Sequence, residues 1–141
     1  MPFAHRIHPS LGLAVFRFWG AMSVAQGTKA FLDYFDDPAF NRQHVMVTDG
    51  RMVNQVEADL TRILYNVANL IPKIRTFPAQ TRSIVIVPDE MVLSHIRMVQ
   101  KALSWTSSIT MLTTFSPDEA MDMAGHPGLA LEPLLPEAAQ V

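Results

Sequence analysis

The chain has 141 residues, of which 49% are hydrophobic and only 17% charged, with a formal net charge of −2. One domain is the expectation for that length, and the composition is too apolar for disorder and lacks the basic excess of a nucleic-acid binder. Cysteine is absent, which excludes disulfide scaffolds, thiol nucleophiles, iron–sulfur clusters and cysteine–zinc sites.

No targeting segment is expected. A signal peptide needs an apolar run of ~7–15 residues, and Pro9, Ser10 and Arg17 interrupt the N-terminal one. The longest uncharged stretch, Ala102 to Pro117, is too rich in Ser and Thr to be a membrane span of ~20 apolar residues. The expectation is a cytoplasmic protein without a membrane span.

His5 to Ile7 and Leu11 to Ala21 read as two strands around a turn at Pro9-Ser10-Leu11-Gly12, with Pro, Ser and Gly in turn-forming positions. Ser23 and Gln26 form a capping box. It opens a helix whose stripe is Val24, Thr28, Phe31 and Phe35, ended by Asp36-Asp37-Pro38. His44 to Thr48 reads as a short strand and Asp49-Gly50 as the turn after it. A second helix is expected from Asn54, capped with Glu57, with Val53, Val56, Leu60, Ile63, Leu64 and Val67 inward and Pro72 as its stop.

Ser83 to Val87 is a continuous apolar run without alternation, the pattern of a strand buried on both faces. Asp89 can cap a third helix with Val92, Ile96, Val99 and Leu103 on its inner side. Ile109 to Phe115 reads as the last strand. Ser116-Pro117-Asp118-Glu119 is a capping box with proline at the first helical position, and Gly125 is the matching stop. Beyond it Pro127, Gly128, Pro133 and Pro136 predict an irregular tail. The order β-β-α-β-α-β-α-β-α predicts a single α/β domain over 1–125, with four to five mostly parallel strands, an N-terminal hairpin and four helices, and a tail over 126–141.

The chemistry-bearing residues form no catalytic constellation. None of the five histidines has a metal-ligand spacing, so no metal or other cofactor is expected. No glycine-rich phosphate loop and no serine elbow occur. Ser23, Asn54, Asp89 and Ser116 read as helix caps. Asp49 has two readings: a turn-former before Gly50, or a ligand-facing residue at the C-terminal end of a strand, where open α/β sheets bind. The nine methionines fit core filling or the lining of a soft groove. Trp105, in an uncharged Ser/Thr segment read as a loop, is a candidate interface anchor.

Three stretches carry a resemblance: HPSLGLAVFRFWGAMS, DDPAFNRQHVMVTDGRMV, and RSIVIVPDEMVLSHIRMVQKAL followed by a strand and SPDEAMDM. Together, over about residues 3–125, they resemble the STAS-like domains related to anti-sigma-factor antagonists, and more narrowly the stand-alone bacterial STAS/SEC14-like group. The resemblance implies matching positions at Asp49, Arg82, Arg97-Met98 and Phe115. It also implies a non-catalytic module that binds a protein or a small apolar ligand. The family's phosphorylatable serine, at the start of the helix after the third strand, has no counterpart in TDGRMVNQVEADLTRIL, where Thr61 is expected inside the helix.

The sequence therefore predicts a regulatory, non-enzymatic module acting by protein contact around Asp49, Gly50, Arg51, Asn54 and Asp89. The alternative is a carrier of a small apolar ligand. A homodimer is expected through the uncharged last strand, with Trp105, Ile109 and Met111 as its surface, because an edge strand without charges lacks the usual protection.

Overall fold

A computed structural model describes residues 2–57 and 59–138, so the last three residues of the expected tail lie outside it. The elements are β1 (Phe3–His8), β2 (Leu13–Met22), α1 (Val24–Asp36), β3 (Val45–Val56), α2 (Leu60–Ile74), β4 (Arg82–Ile86), α3 (Glu90–Thr106), β5 (Thr110–Thr114) and α4 (Pro117–Met123). One five-stranded sheet has the order β1-β2-β3-β4-β5. β1 pairs antiparallel with β2, and the remaining pairs are parallel. This is the expected α/β fold. The turn between β1 and β2 is a single 3₁₀ turn, Pro9–Leu11, closed by Gly12 at φ 64°.

When strand order follows chain order, right-handed crossovers carry every connecting helix to the same side. α1, α2 and α3 accordingly share one face, over a core of Phe16, Phe18, Met46, Ile63, Val67, Val85 and Val92. The opposite face holds a second core of Leu13, Val15, Val47, Ile84 and Ile86, covered by Met121 of α4 and by Leu131 and Leu135 of the tail. Alternation along β4 sends Ile84 and Ile86 to the tail side and Val85 to the helix side, so both faces are buried as its apolar run predicts. The irregular tail thus does the work of a fourth covering helix.

Caps explain three helix starts. Ser23 and Gln26 bond reciprocally at α1, Asp89 accepts from the Val92 amide at α3, and Ser116 accepts from the Glu119 amide at α4.

The region from Asp49 to Asp59 differs from the sequence expectation. Asp49-Gly50 is no turn: β3 runs straight through it to Val56. Asn54 is therefore a strand residue and caps nothing. α2 begins at Leu60, capped by Asp59, whose carboxylate accepts from the Thr61 and Arg62 amides. The strand continues because β2 is long enough to pair with it, with Arg17 opposite Asp49 and Trp19 opposite Met52. That step puts an extra residue into β3, a bulge that sharpens the local twist. Pro72 lies inside α2, which continues to Ile74. Trp105 sits in the last turn of α3 rather than in a loop.

Candidate functional site

Between the helix layer and the sheet lies a cavity of about 190 Å³. β2 contributes Phe16, Phe18 and Met22 to its wall, α1 contributes Gly27, Thr28 and Phe31, and α2 contributes Ile63, Asn66 and Val67. Val85 and Ser83 of β4, Thr48 of β3, Ile96 of α3 and Met111 of β5 also line it. The predicted α3 stripe lines it, as do Val24, Thr28 and Phe31 of α1 and Ile63 and Val67 of α2, whereas Leu60 and Leu64 of the expected α2 stripe are exposed and Val53 and Val56 belong to β3. No Lys, Arg, His, Asp or Glu is among the lining residues, and the polar ones are Thr28, Thr48, Asn66 and Ser83.

Two of these form a seam. Thr28 Oγ1 of α1 donates to Asn66 Oδ1 of α2 at 3.3 Å, and Asn66 in turn donates to the Arg62 carbonyl at 2.8 Å. The other two lie on the sheet floor. Ser83 is 7% exposed, and both it and Thr48 border the cavity.

Gly50 is part of the same wall. A Cβ there would stand 2.9 Å from the Ile86 carbonyl oxygen. Glycine is thus required for the close approach of β3 to β4, not for a turn. At Gly27 a Cβ would meet only the tip of the flexible Met22 side chain, at 3.3 Å.

The polar residues predicted as a contact surface do something else. Asp49 is 1% exposed. Its carboxylate takes Arg51 Nε at 2.9 Å and Nη2 at 3.0 Å, and Arg51 Nη2 also reaches Glu132 Oε1 at 2.6 Å. These hydrogen bonds, that to Asp49 first, hold the Arg51 guanidinium well above its ordinary pKa. Arg17, opposite Asp49, donates to the Pro136 carbonyl at 3.2 Å. His8 Nε2 donates to the Leu134 carbonyl and His126 Nε2 to the Leu11 carbonyl, each at 2.8 Å. Together these contacts strap the tail across the sheet. Asn54 is exposed on the outer half of β3 and Asp89 caps α3, so neither joins the Asp49 cluster.

The positions carried by the family resemblance separate. Arg97 and Phe115 line an open groove of about 280 Å³ beside the C-terminal end of β5, with Leu93, Thr113 and Glu119. Met98 packs on the helix-side core, and Arg82 donates to the Met123 carbonyl at the end of α4. Trp105, Ile109 and Met111 do not share a surface. Trp105 is 69% exposed on α3, Ile109 is buried, and Met111 turns into the cavity. β5 is the sheet edge, and the Gln100 side chain covers part of it by donating to the Met111 carbonyl at 2.7 Å.

Thr61 also moves. Because α2 starts late, Thr61 is exposed in its first turn rather than inside the helix. Leu60, Leu64 and Tyr65 lie exposed beside it.

Among the described residues no three His, Asp or Glu side chains come together as metal ligands would, and no helix is long and apolar enough to cross a membrane. Comparison with protein-family models, curated proteins and solved structures gives no match.

Sequence reasoning missed Gly27 and Asn66. The signals were a glycine inside a helix and a polar Thr28 on an otherwise apolar stripe, both of which mark a wall that does not close by packing.

Proposed function

We propose that this chain is a non-catalytic binding module that holds a small apolar ligand between its helices and its sheet. The observation that carries this reading is the cavity itself. Protein interiors are close-packed, and a space of about 190 Å³ between helices and sheet, walled by apolar side chains and partly open at its mouth, departs from that rule. A ligand filling it would supply the contacts the wall lacks. An engineered cavity of ~150 Å³ stays dry and takes benzene, so the fit is a ring or short chain, smaller than a phospholipid. The apolar-carrier side of the STAS/SEC14-like resemblance points the same way. We place the protein in the cytoplasm on the interrupted apolar run at its N-terminus and the absence of cysteine.

Native mass spectrometry of freshly purified protein tests this reading. An adduct in the mass range of one small organic molecule, lost on mild activation, is expected. A bare apo mass that stays unchanged after exposure to toluene would overturn it.

A second reading, regulatory protein contact, is favoured by α2. Its exposed Leu60, Leu64 and Tyr65 form an unpaired apolar face, and Thr61 stands in the first turn, where the family resemblance places a phosphorylatable residue. Ligand binding and partner contact would then share α2, whose inner side lines the cavity. Thr61→Glu is expected to change partner capture without changing ligand binding, and no change in capture would count against this role. Homodimerisation through β5 belongs to the same reading, since that strand is hydrogen-bonded to β4 alone among the strands.

A further inference from the structure

We infer that the cavity selects a neutral ligand bearing one hydrogen-bonding group, of the alcohol, phenol or ketone class, and that Ser83 is the residue that reads this group. The inference rests on the cavity being a ligand site.

Charge is excluded by the wall. No cationic side chain is among the lining residues, and an ionised carboxylate buried without a partner costs many kcal/mol. Fatty acids in their ionised form and other anions therefore do not fit. Cations are excluded in the same way, since no carboxylate lines the space.

A pure hydrocarbon leaves the floor unsatisfied. Ser83, the second residue of β4, is 7% exposed and lines the cavity. Its side chain borders the open space, and a hydrocarbon filling that space would take water from the hydroxyl and offer no hydrogen bond in exchange. Thr48 brings a second hydroxyl to the cavity wall from β3. The two are diagonal neighbours on one face, because Ser83 pairs with Met46 and Thr48 with Val85. A hydroxyl can donate or accept, so this pair suits a ligand hydroxyl or carbonyl equally. Thr28 and Asn66 already satisfy each other, which leaves the sheet floor as the recognition point.

Binding of three single-ring probes at pH 7, toluene, p-cresol and benzoate, to the full chain and to Ser83→Ala tests this. Toluene should bind both proteins alike, and benzoate neither. p-Cresol should lose roughly 3- to 10-fold in affinity on Ser83→Ala, the worth of one neutral hydrogen bond. Unchanged toluene binding shows that the variant is folded; if Ser83→Ala does not fold, Thr48→Val is read in the same way. An unaltered ratio of p-cresol to toluene affinity, or benzoate binding as tight as toluene, would overturn the inference while leaving the cavity reading intact. Failure of all three probes to bind the unmodified chain would overturn both.

Discussion

Arg51 turns back onto Asp49, two residues earlier in the same strand, and grips both carboxylate oxygens at 2.9 and 3.0 Å. Residues two apart on a strand share a face, so this fork lies on the side covered by the tail. Its free nitrogen valence then catches Glu132 at 2.6 Å. The pair is thus a latch between the sheet and the C-terminal strap.

The latch has unequal halves. Asp49 is buried, and its removal would leave the Arg51 guanidinium with only the exposed Glu132 as its anion. Asp49→Ala should cost about 1.5–3 kcal/mol, the worth of a hydrogen bond to a charged group. Glu132 is 64% exposed, so Glu132→Gln should cost less than about 1 kcal/mol. Urea denaturation of both variants measures the difference, and equal small losses would contradict it.

The strap itself is core. Leu131 and Leu135 are buried against Leu13, Val15 and Val47. Leu131→Ala should destabilise by about 2–5 kcal/mol. Truncation after Gly125 should expose the apolar sheet face and increase binding of a hydrophobic dye. A truncated chain that melts like the full one would show that the tail carries no weight.

Most of the architecture was legible because it rests on patterns with a fixed period. The stripes of α1 and α3, the doubly buried β4 and the caps at Ser23, Asp89 and Ser116 all follow from local rules. The stretch after Asp49 was not legible, since Asp-Gly favours turns only when nothing else claims the residues. Here Arg51 claims Asp49 and the Ile86 carbonyl demands a glycine at position 50. The cavity was hidden for another reason. A hydrophobic stripe reports which side of a helix faces inward, not how far it stops from the opposite wall.

Two glycines on the cavity wall should respond with opposite sign. Gly27→Ala replaces a glycine in the first turn of α1, its new methyl meets only the movable tip of Met22, and it should gain up to about 1 kcal/mol. Gly50→Ala forces a methyl against a backbone oxygen and should lose about 1–3 kcal/mol. Melting temperatures that move in the same direction would refute this assignment of the two sites.

Acid should weaken the fold in two steps. His44 is buried with Nδ1 unpaired, and burial pushes its pKa below the ordinary 6.5. The unfolded chain then binds more protons than the native one just below that pH, so His44 contributes full stability above about 6.5 and loses it as pH falls. Asp37 accepts from the Ala39 amide and from His5, which lower its pKa below 3.8. Its contribution is present above that value and disappears as pH falls through the lower, folded one. Stability measured against pH should drop in both windows. His44→Gln should remove the upper step alone, and an unchanged upper step would assign it elsewhere.

The methionines provide the most direct test of the cavity. Met22, Met46 and Met111 line it, whereas Met121 and Met123 pack in the second core across the sheet. Methyl NMR during a toluene titration should shift the first three signals in a saturable way and leave the other two in place. Shifts absent from Met22, Met46 and Met111, or equal in both groups, would contradict a ligand site between the helices and the sheet.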